Sequence, residues 1–117
     1  MVAGTGHDFI NRHSCNDALF IRTTLIKDIE WDLTDQKGYG NPNGNVKLGS
    51  GIVFSEAHKS AADNDRFISS GWASTVGIIG WSLGGGHGPF SPSKGLGVDN
   101  ILEVEMVDAN GNLIIVN

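Results

Sequence analysis

A histidine near the start of the chain is the sharpest candidate for chemistry in this sequence. His7 follows the turn Gly4-Thr5-Gly6, where glycines without a Cβ let a ligand come close to the backbone. An imidazole can attack an activated carbon as a nucleophile, and it can equally bond to nearby backbone with no chemical role. Taken alone, a loop histidine favours the second role, so the assignment of His7 depends on the rest of the chain.

A glycine-rich stretch from Gly71 to Asn100 is the second candidate. It holds nine of the 17 glycines, including the run Gly84-Gly85-Gly86. Exposed backbone N–H groups in such a run can form a concavity that binds anions. A flexible turn would also contain glycines, but flexible linkers lack large apolar side chains. This stretch contains Trp72, Val76, Ile78, Ile79, Trp81, Leu83 and Phe90. We therefore expect a packed loop system that holds a ligand.

Three other motifs are incomplete. Gly80-Trp81-Ser82-Leu83-Gly84 has the G-x-S-x-G pattern of a hydrolase nucleophile, but the glycines and prolines after it are a poor helix start. The four histidines and Cys15 show none of the close spacings of zinc sites. No G-x-x-x-x-G-K occurs, and Gly95-x-Gly97 lacks a third glycine at the spacing of a dinucleotide loop. The sequence therefore predicts no hydrolase triad and no metal site.

The same residues resemble those of a known family. GWASTVGIIGWSLGGGHG at 71–88, followed by GLGVDNILEVEMVDANGNLIIVN at 95–117, resembles the second half of the FAD-binding domain of FAD-linked oxidases. These are the berberine-bridge-enzyme-like branch of the vanillyl-alcohol-oxidase superfamily, with a PCMH-type FAD-binding domain. GTGHDF at 4–9 resembles the family loop whose histidine is covalently joined to flavin. With NVKLGSGIVFSEAHKSA at 45–61 between them, the resemblance covers nearly the whole chain in family order.

The resemblance implies one covalent link to FAD. His7 would attack the 8α-methyl group of the flavin and form a permanent bond that holds the cofactor and raises its oxidising power. Many members form a second link through a cysteine in the pattern Gly-x-Cys-Pro-Thr-Val-Gly. Ala73 occupies that position here and has no nucleophilic atom, whereas Cys15 lies elsewhere and is expected to be a packed or surface thiol. Any flavin is therefore expected to be singly linked at most.

The resemblance also implies which residues contact the cofactor. Backbone N–H groups of the glycine-rich segments would bind the pyrophosphate and the ring, and a Cβ there would push the ring away. The expected contacts are Gly4, Thr5, Gly6, His7, Asp8, Ser74, Thr75, Gly77, Gly84, Gly85, Gly86, His87, Gly88, Gly97, Val98, Asp99 and Ile101. His87 is ambiguous, since a polar loop filler is its more ordinary role. No catalytic residue is assigned, because the base that prepares the substrate usually lies in the substrate domain of this family.

Short strands and one or two short helices must position these loops. Apolar or alternating segments predict strands at residues 18–23, 29–33, 45–48, 67–69, 101–108 and 113–116. The fold class expected is α+β with a mostly antiparallel sheet, as in the second subdomain of a PCMH-type domain.

Capping and turn residues predict the remaining elements. Ser55 is a plausible N-cap for a short helix over residues 56–63, and residues 75–81 could form one or two helical turns. Residues 34–45 are predicted as an exposed loop or wide hairpin and residues 82–93 as a loop. Asn110-Gly111 is the pair favoured in a type I′ hairpin turn.

The bulk composition excludes several classes of function. At 117 residues, 39% apolar and 18% charged, the chain has the composition of one ordinary globular domain. A net charge of −5 with no basic run argues against a nucleic acid or an anionic membrane as partner. A single cysteine excludes an internal disulfide. No signal peptide is visible, so the cytoplasm is the default location, although a fragment of a secreted enzyme would look the same.

The resemblance leaves two expectations about function. Residues 1–117 would form a single partial FAD-binding domain, with the first α/β subdomain and the substrate-binding domain absent. The first expectation is the FAD-binding portion of an oxidase that removes hydride from an alcohol, amine or sugar-type small molecule, with oxygen as reoxidant, and that is weak or inactive alone. The alternative is a truncated non-redox relative that acts as a binding or assembly module and self-associates as a homo-oligomer.

Overall fold

A computed structural model describes all of residues 1–117. The helices are α1 (Phe54–Asp63), α2 (Ile78–Leu83) and α3 (Ser91–Lys94), with a 3₁₀ turn at Val98–Asn100. The strands are β1 (Val2–Ala3), β2 (Ile21–Arg22), β3 (Ile29–Asp32), β4 (Asn45–Leu48), β5 (Val104–Val107) and β6 (Leu113–Val116). They form three two-stranded sheets, of which β1–β2 is parallel and the other two are antiparallel. The predicted α+β class with mostly antiparallel pairing is confirmed.

The β3–β4 hairpin has a long loop that is stabilised by hydrogen bonds to the carboxylate of Asp35. The strands pair from Ile29 opposite Leu48 to Asp32 opposite Asn45, so of the two alternatives predicted for residues 34–45, an exposed loop or a wide hairpin, the structure has the hairpin. Asp35 in the loop accepts hydrogen bonds from Asn45 Nδ2 at 2.7 Å and from three backbone N–H groups, those of Tyr39, Gly40 and Asn41. Although burial favours the neutral acid, these hydrogen bonds lower the pKa of Asp35. The loop is therefore an ordered unit.

The hydrophobic core is small and lies directly behind the glycine-rich stretch. It consists of Ile52, Phe54, Ala57 and Ile78, each at most 5% exposed. Partly buried apolar side chains surround it: Ile29, Leu48, Ile68, Val76, Ile79 and Trp81. The edge of the Phe54 ring meets Trp81 at a centroid distance of 5.1 Å, an arrangement that aromatic pairs favour. The core therefore fixes the segments on which the candidate site is built.

Helix α1 begins two residues earlier than the Ser55 cap predicts. Val53 is the N-cap, and its N–H donates to Glu56 Oε2 at 2.9 Å, so Ser55 lies inside the first turn. The Lys27 ammonium donates to the same carboxylate and, with the Val53 N–H, lowers the pKa of Glu56. The helix begins here because Val53 is paired with Gly77 in an isolated antiparallel bridge, which keeps the chain extended up to Phe54.

Three other local predictions are wrong. Residues 67–69 form no strand, and Phe67 instead packs edge-to-face on Phe90 at 4.9 Å. Helix α2 starts at Ile78, not at residue 75, because Gly77 is still extended with φ −73° and ψ 128°. The predicted loop over 82–93 contains the start of α3, where Pro92 fits because the first turn of a helix needs no donor at that position.

The β5–β6 hairpin differs from its prediction in the type of its turn. Gly111 has φ +84°, but Asn110 does not have a positive φ, so the turn is not type I′. Instead the N–H groups of Asn110 and Asn112 donate to the Asp108 carboxylate at 2.8 and 2.9 Å, and the Gly111 N–H donates to the Asp108 carbonyl. This is a type I turn followed by a glycine bulge. All four residues of β6 are exposed, so this hairpin contributes no side chain to the core.

Candidate functional site

Residues 74–78 are positioned by pairing with the segment that leads into α1. The N–H groups of Phe54 and Ser55 donate to the carbonyls of Val76 and Ser74 at 3.1 and 3.0 Å. In return the Ile78 N–H donates to the Ile52 carbonyl at 3.1 Å. The segment is therefore fixed along one edge to the core, which leaves its other edge for the N-terminal loop.

Two threonine hydroxyls join the N-terminal loop to this segment. The Gly77 N–H donates to Thr5 Oγ1 at 2.9 Å, and the His7 Nε2 atom lies 2.9 Å from Thr75 Oγ1. The approach is close, since a Cβ on Gly77 would lie 3.0 Å from the Thr5 side chain. Residues about 70 positions apart in sequence thus form one cluster, which we call the histidine cluster.

Asp8, next to the histidine, has its carboxylate engaged within the loop. It accepts hydrogen bonds from the backbone N–H of Arg12 at 2.6 Å and from Arg12 Nε at 2.8 Å. These bonds lower the pKa of Asp8, because they stabilise its ionised form. The Asp8 carboxylate therefore stabilises the turn that follows His7.

The glycine run forms a second cluster with the segment that follows α3. Gly85 and Gly86 have φ of +101° and +77°, a left-handed region that favours glycine, and they reverse the chain after α2. The Gly97 N–H then donates to the Gly86 carbonyl at 2.8 Å, and the Val98 N–H donates to the Gly85 carbonyl at 3.2 Å. We call these paired backbones the glycine cluster.

Asp99 and Ile101 lie beside the glycine cluster in different ways. Asp99 Oδ2 accepts the Leu96 N–H at 2.8 Å, so its carboxylate shapes the turn between α3 and the 3₁₀ turn. Ile101 is 36% exposed and follows the 3₁₀ turn at the surface. No hydrogen bond joins the histidine cluster to the glycine cluster, and α2 is the rigid connection between them.

An apolar groove of about 300 Å³ lies along the side of the core. Its walls include Ala73, next to the histidine cluster, and His87, next to the glycine cluster. The remaining walls are Phe54, Gly71, Trp72, Val76 and Trp81. The Trp72 ring is 70% exposed and lies 5.3 Å from the His87 ring, while Trp81 Nε1 donates to the His87 carbonyl at 2.9 Å. A flat aromatic ligand would find stacking partners here.

The sequence predictions missed three residues of this region. Trp72 and Trp81 were expected only as packing residues, although large aromatics beside glycines are a signal for a flat ligand surface. Gly80 was not predicted as a contact, yet it is exposed in the middle of α2 and a Cβ there would meet no protein atom within 4 Å. A bare glycine in a helix, with no crowding to explain it, is a signal for the close approach of a ligand.

The structure contains none of the arrangements that a hydrolase nucleophile, a metal site or a membrane-spanning helix would require. Ser82 lies within α2 and is 8% exposed, so the strained turn of a hydrolase nucleophile is not formed. No three His, Cys, Asp or Glu side chains are grouped as a metal site would require. None of the helices combines the length and the apolar character that a membrane crossing demands.

Comparison with known proteins decides the family. A model of the FAD binding domain matches residues 1–117. The chain belongs to the FAD binding domain family. It is 39% identical over 122 residues to the FAD-linked oxidoreductase easE of Epichloe festucae var. lolii. The aligned region covers 100% of this chain and 20% of that protein. It is 40% identical over 119 residues to the FAD-linked oxidoreductase ZEB1 of Gibberella zeae, with the same two shares.

Solved structures with this FAD-binding fold superpose closely. The VAO-type flavoprotein MtVAO615 from Myceliophthora thermophila C1 matches with a TM-score of 0.91 and 32% identity over 97% of this chain and 21% of that one. The 6-hydroxy-D-nicotine oxidase from Arthrobacter nicotinovorans matches with a TM-score of 0.87 and 26% identity over 98% of this chain and 24% of that one. The chain therefore spans about a fifth of the length of its curated relatives.

The residues present fit a flavin. An apolar groove with two tryptophans suits a planar ring system, and the left-handed glycines of the glycine cluster bring backbone within reach of a ligand. Around Gly6, Gly80 and Gly85, the side on which a Cβ would stand is free of protein atoms within 4 Å. These three glycines therefore leave backbone accessible, as do Gly38, Gly40 and Gly111 in turns outside the candidate site.

Proposed function

We propose that this chain holds FAD between the histidine cluster and the glycine cluster, as the cofactor-binding part of a flavin-dependent oxidase. The observation that carries the proposal is the pairing of the His7 loop with residues 74–77, beside a groove whose far wall is His87. The cofactor supplies the capacity to accept a hydride when it is bound, and the chain supplies binding and orientation. We propose an alcohol, amine or sugar-type substrate, bound by elements outside residues 1–117.

We propose that the attachment atom is His7 Nδ1. Nε2 is engaged with Thr75 Oγ1, and Nδ1 is the ring nitrogen that has no partner within the protein. Were FAD attached there, Nδ1 would take the place of one hydrogen of the 8α-methyl group, and the two protons and two electrons lost would pass to oxygen to give hydrogen peroxide. Ala73 offers only a methyl group to the groove, so we propose this as the sole link.

The visible absorption spectrum of the purified chain tests the proposal. After incubation with FAD, we expect a flavin spectrum that remains with the protein through acid precipitation, because a covalent bond survives denaturation. The chain alone is expected to produce little or no peroxide with alcohols, amines or sugars, because no residue here is placed as a substrate base. A colourless protein that takes up no FAD would contradict the proposal.

Gly80 gives a prediction in which stability and binding change in opposite directions. Gly80→Ala should stabilise the fold by about 0.5–1 kcal/mol, because alanine in an exposed helix position loses less chain entropy and meets no neighbour. The same methyl group should weaken FAD binding several-fold by preventing the close approach of the ligand. Thermal unfolding and flavin titration measure the two effects. Unchanged affinity would show that Gly80 does not face the cofactor.

A second function, a self-associating binding module, has one observation in its favour. The β5–β6 hairpin exposes Val107, Leu113 and Ile115 on one face, of which Leu113 and Val107 are 67% and 66% exposed. Contiguous apolar surface of this kind is uncommon on monomeric proteins and favours association. A chain that takes up no FAD in the absorption experiment and sediments as a defined oligomer would favour this module over the oxidase.

A further inference from the structure

The two threonine contacts of the histidine cluster differ in what they hold. Thr5 Oγ1 accepts a backbone N–H, that of Gly77, and so fixes one main chain against another. Thr75 Oγ1 contacts the imidazole of His7, and so fixes a side chain. Both distances are 2.9 Å, and both bonds connect the same two segments. The chain thus contains a structural hydroxyl and, beside it, a hydroxyl that touches the reactive ring.

The second hydroxyl is the one hydrogen-bond partner of the His7 ring. The backbone around His7 is restrained on both sides, by Thr5 through Gly77 and by Asp8 through Arg12. The ring itself is exposed, and its contact with Thr75 is its one hydrogen bond in the structure. A side chain without such a contact exchanges between rotamers, which places Nδ1 in several positions. The Thr75 hydroxyl is therefore the group that can favour one of these positions of Nδ1.

We propose that Thr75 is a positioning residue that orients the His7 imidazole and fixes its proton on Nε2. The inference rests on the proposed role of His7 as the attachment residue. A nitrogen that forms a bond to carbon needs its lone pair, so the proton of the neutral ring must be on Nε2. Thr75 Oγ1 is then the acceptor of the Nε2–H bond. Holding a nucleophile in the attacking orientation raises the rate of bond formation without any change in its intrinsic reactivity.

The hydroxyl, not the bulk, of Thr75 should control attachment. In the Thr75→Val variant, which keeps the shape and loses the hydroxyl, we expect the rate of acid-stable flavin formation to fall about five- to tenfold, as for loss of one hydrogen bond. The Thr75→Ser variant restores a hydroxyl and should recover most of the rate. The Thr5→Val variant serves as the control for the ring ¹⁵N signals and not for the attachment rate, because it removes the other hydroxyl that joins the same segments and leaves the ring contact, but Thr5 is itself an expected FAD contact.

Ring ¹⁵N chemical shifts of His7 in the flavin-free chain give a readout that a merely structural role would not change. At a pH at which the His7 ring is neutral, we expect the wild-type protein to show one protonated nitrogen, Nε2, and one unprotonated nitrogen, Nδ1. The two signals should move toward a mixture of tautomers in Thr75→Val, return in Thr75→Ser and stay in place in Thr5→Val.

The outcomes separate this inference from the proposed function. If Thr5→Val shifts the His7 signals as much as Thr75→Val does, or if neither changes them, the positioning role is wrong. If no flavin attaches to the wild-type chain, the attachment proposal fails, whereas the ¹⁵N signals still decide whether Thr75 orients the ring.

Discussion

Replacing Gly86 by alanine should destabilise the chain by about 2–4 kcal/mol, the sum of a backbone and a packing effect. Gly86 has φ +77°, a conformation in which alanine is strained by about 1 kcal/mol. In addition, the new Cβ would lie 2.5 Å from Gly97 Cα and 2.6 Å from Gly97 N, so the two paired backbones of the glycine cluster must separate. Urea unfolding followed by tryptophan fluorescence measures the loss, since the new Cβ would also lie 3.1 Å from the Trp81 ring.

Two neighbouring glycines provide matched controls for this substitution. Gly84→Ala should be close to neutral, because Gly84 has φ −86° and its Cβ would stand 3.5 Å from the nearest atom. Gly85→Ala should cost about 1 kcal/mol, because φ is +101° but the space is free. Equal losses at all three positions would contradict the geometry of the glycine cluster. A large loss of FAD binding in Gly85→Ala would support a ligand at its open side.

Replacing His7 by alanine should abolish the covalent attachment of flavin completely. No other nucleophile lines the groove at the position of the family cysteine, since Ala73 stands there, and the one cysteine, Cys15, is exposed elsewhere. FAD should still bind reversibly, because the glycine cluster and the groove remain. Acid precipitation followed by absorption of the pellet and the supernatant separates the two forms: the flavin should move entirely to the supernatant.

His87→Ala is the matched control for the His7 substitution. The His87 side chain contacts the Trp72 ring, while its carbonyl, which accepts the Trp81 Nε1–H, is part of the backbone and survives the change. Covalent flavin should therefore persist in His87→Ala. Acid-stable flavin in the His7→Ala variant, or its loss in His87→Ala, would show that the linkage residue is another one.

The elements that the sequence predicts well are those whose periodicity is local. Strands β3, β4, β5 and β6 and helix α1 were all expected within a few residues of their observed bounds. The errors arise where a distant contact overrides local preference. The pairing of Val53 with Gly77 moves the start of two helices, and Asp108 imposes a type I turn on a pair that favours type I′.

The candidate site could be predicted in its parts but not in its connections. The His7 loop and residues 74–77 came from the resemblance, and the structure brings them together through two threonine hydroxyls. No sequence rule indicates that Thr75 faces the histidine while Thr5 faces a backbone amide, because side-chain direction in a loop depends on the tertiary fold. For the same reason the sequence does not indicate that the carboxylates of Asp8 and Asp99 accept hydrogen bonds in local turns, whereas their contact with the cofactor stays a prediction.

The small core affects the heat capacity and the cooperativity of unfolding. Only 13 of 117 residues are buried, so unfolding exposes little new apolar surface. The heat-capacity change of unfolding should therefore fall below the value of roughly 12–15 cal/mol/K per residue that is typical of globular proteins. Slow amide exchange should be confined to residues 52–57 and 76–78, where core residues lie in segments that are also joined by backbone hydrogen bonds. A ligand that bridges the two clusters would then contribute a large share of the cooperativity, and FAD would act on this chain as a folding partner as much as a cofactor.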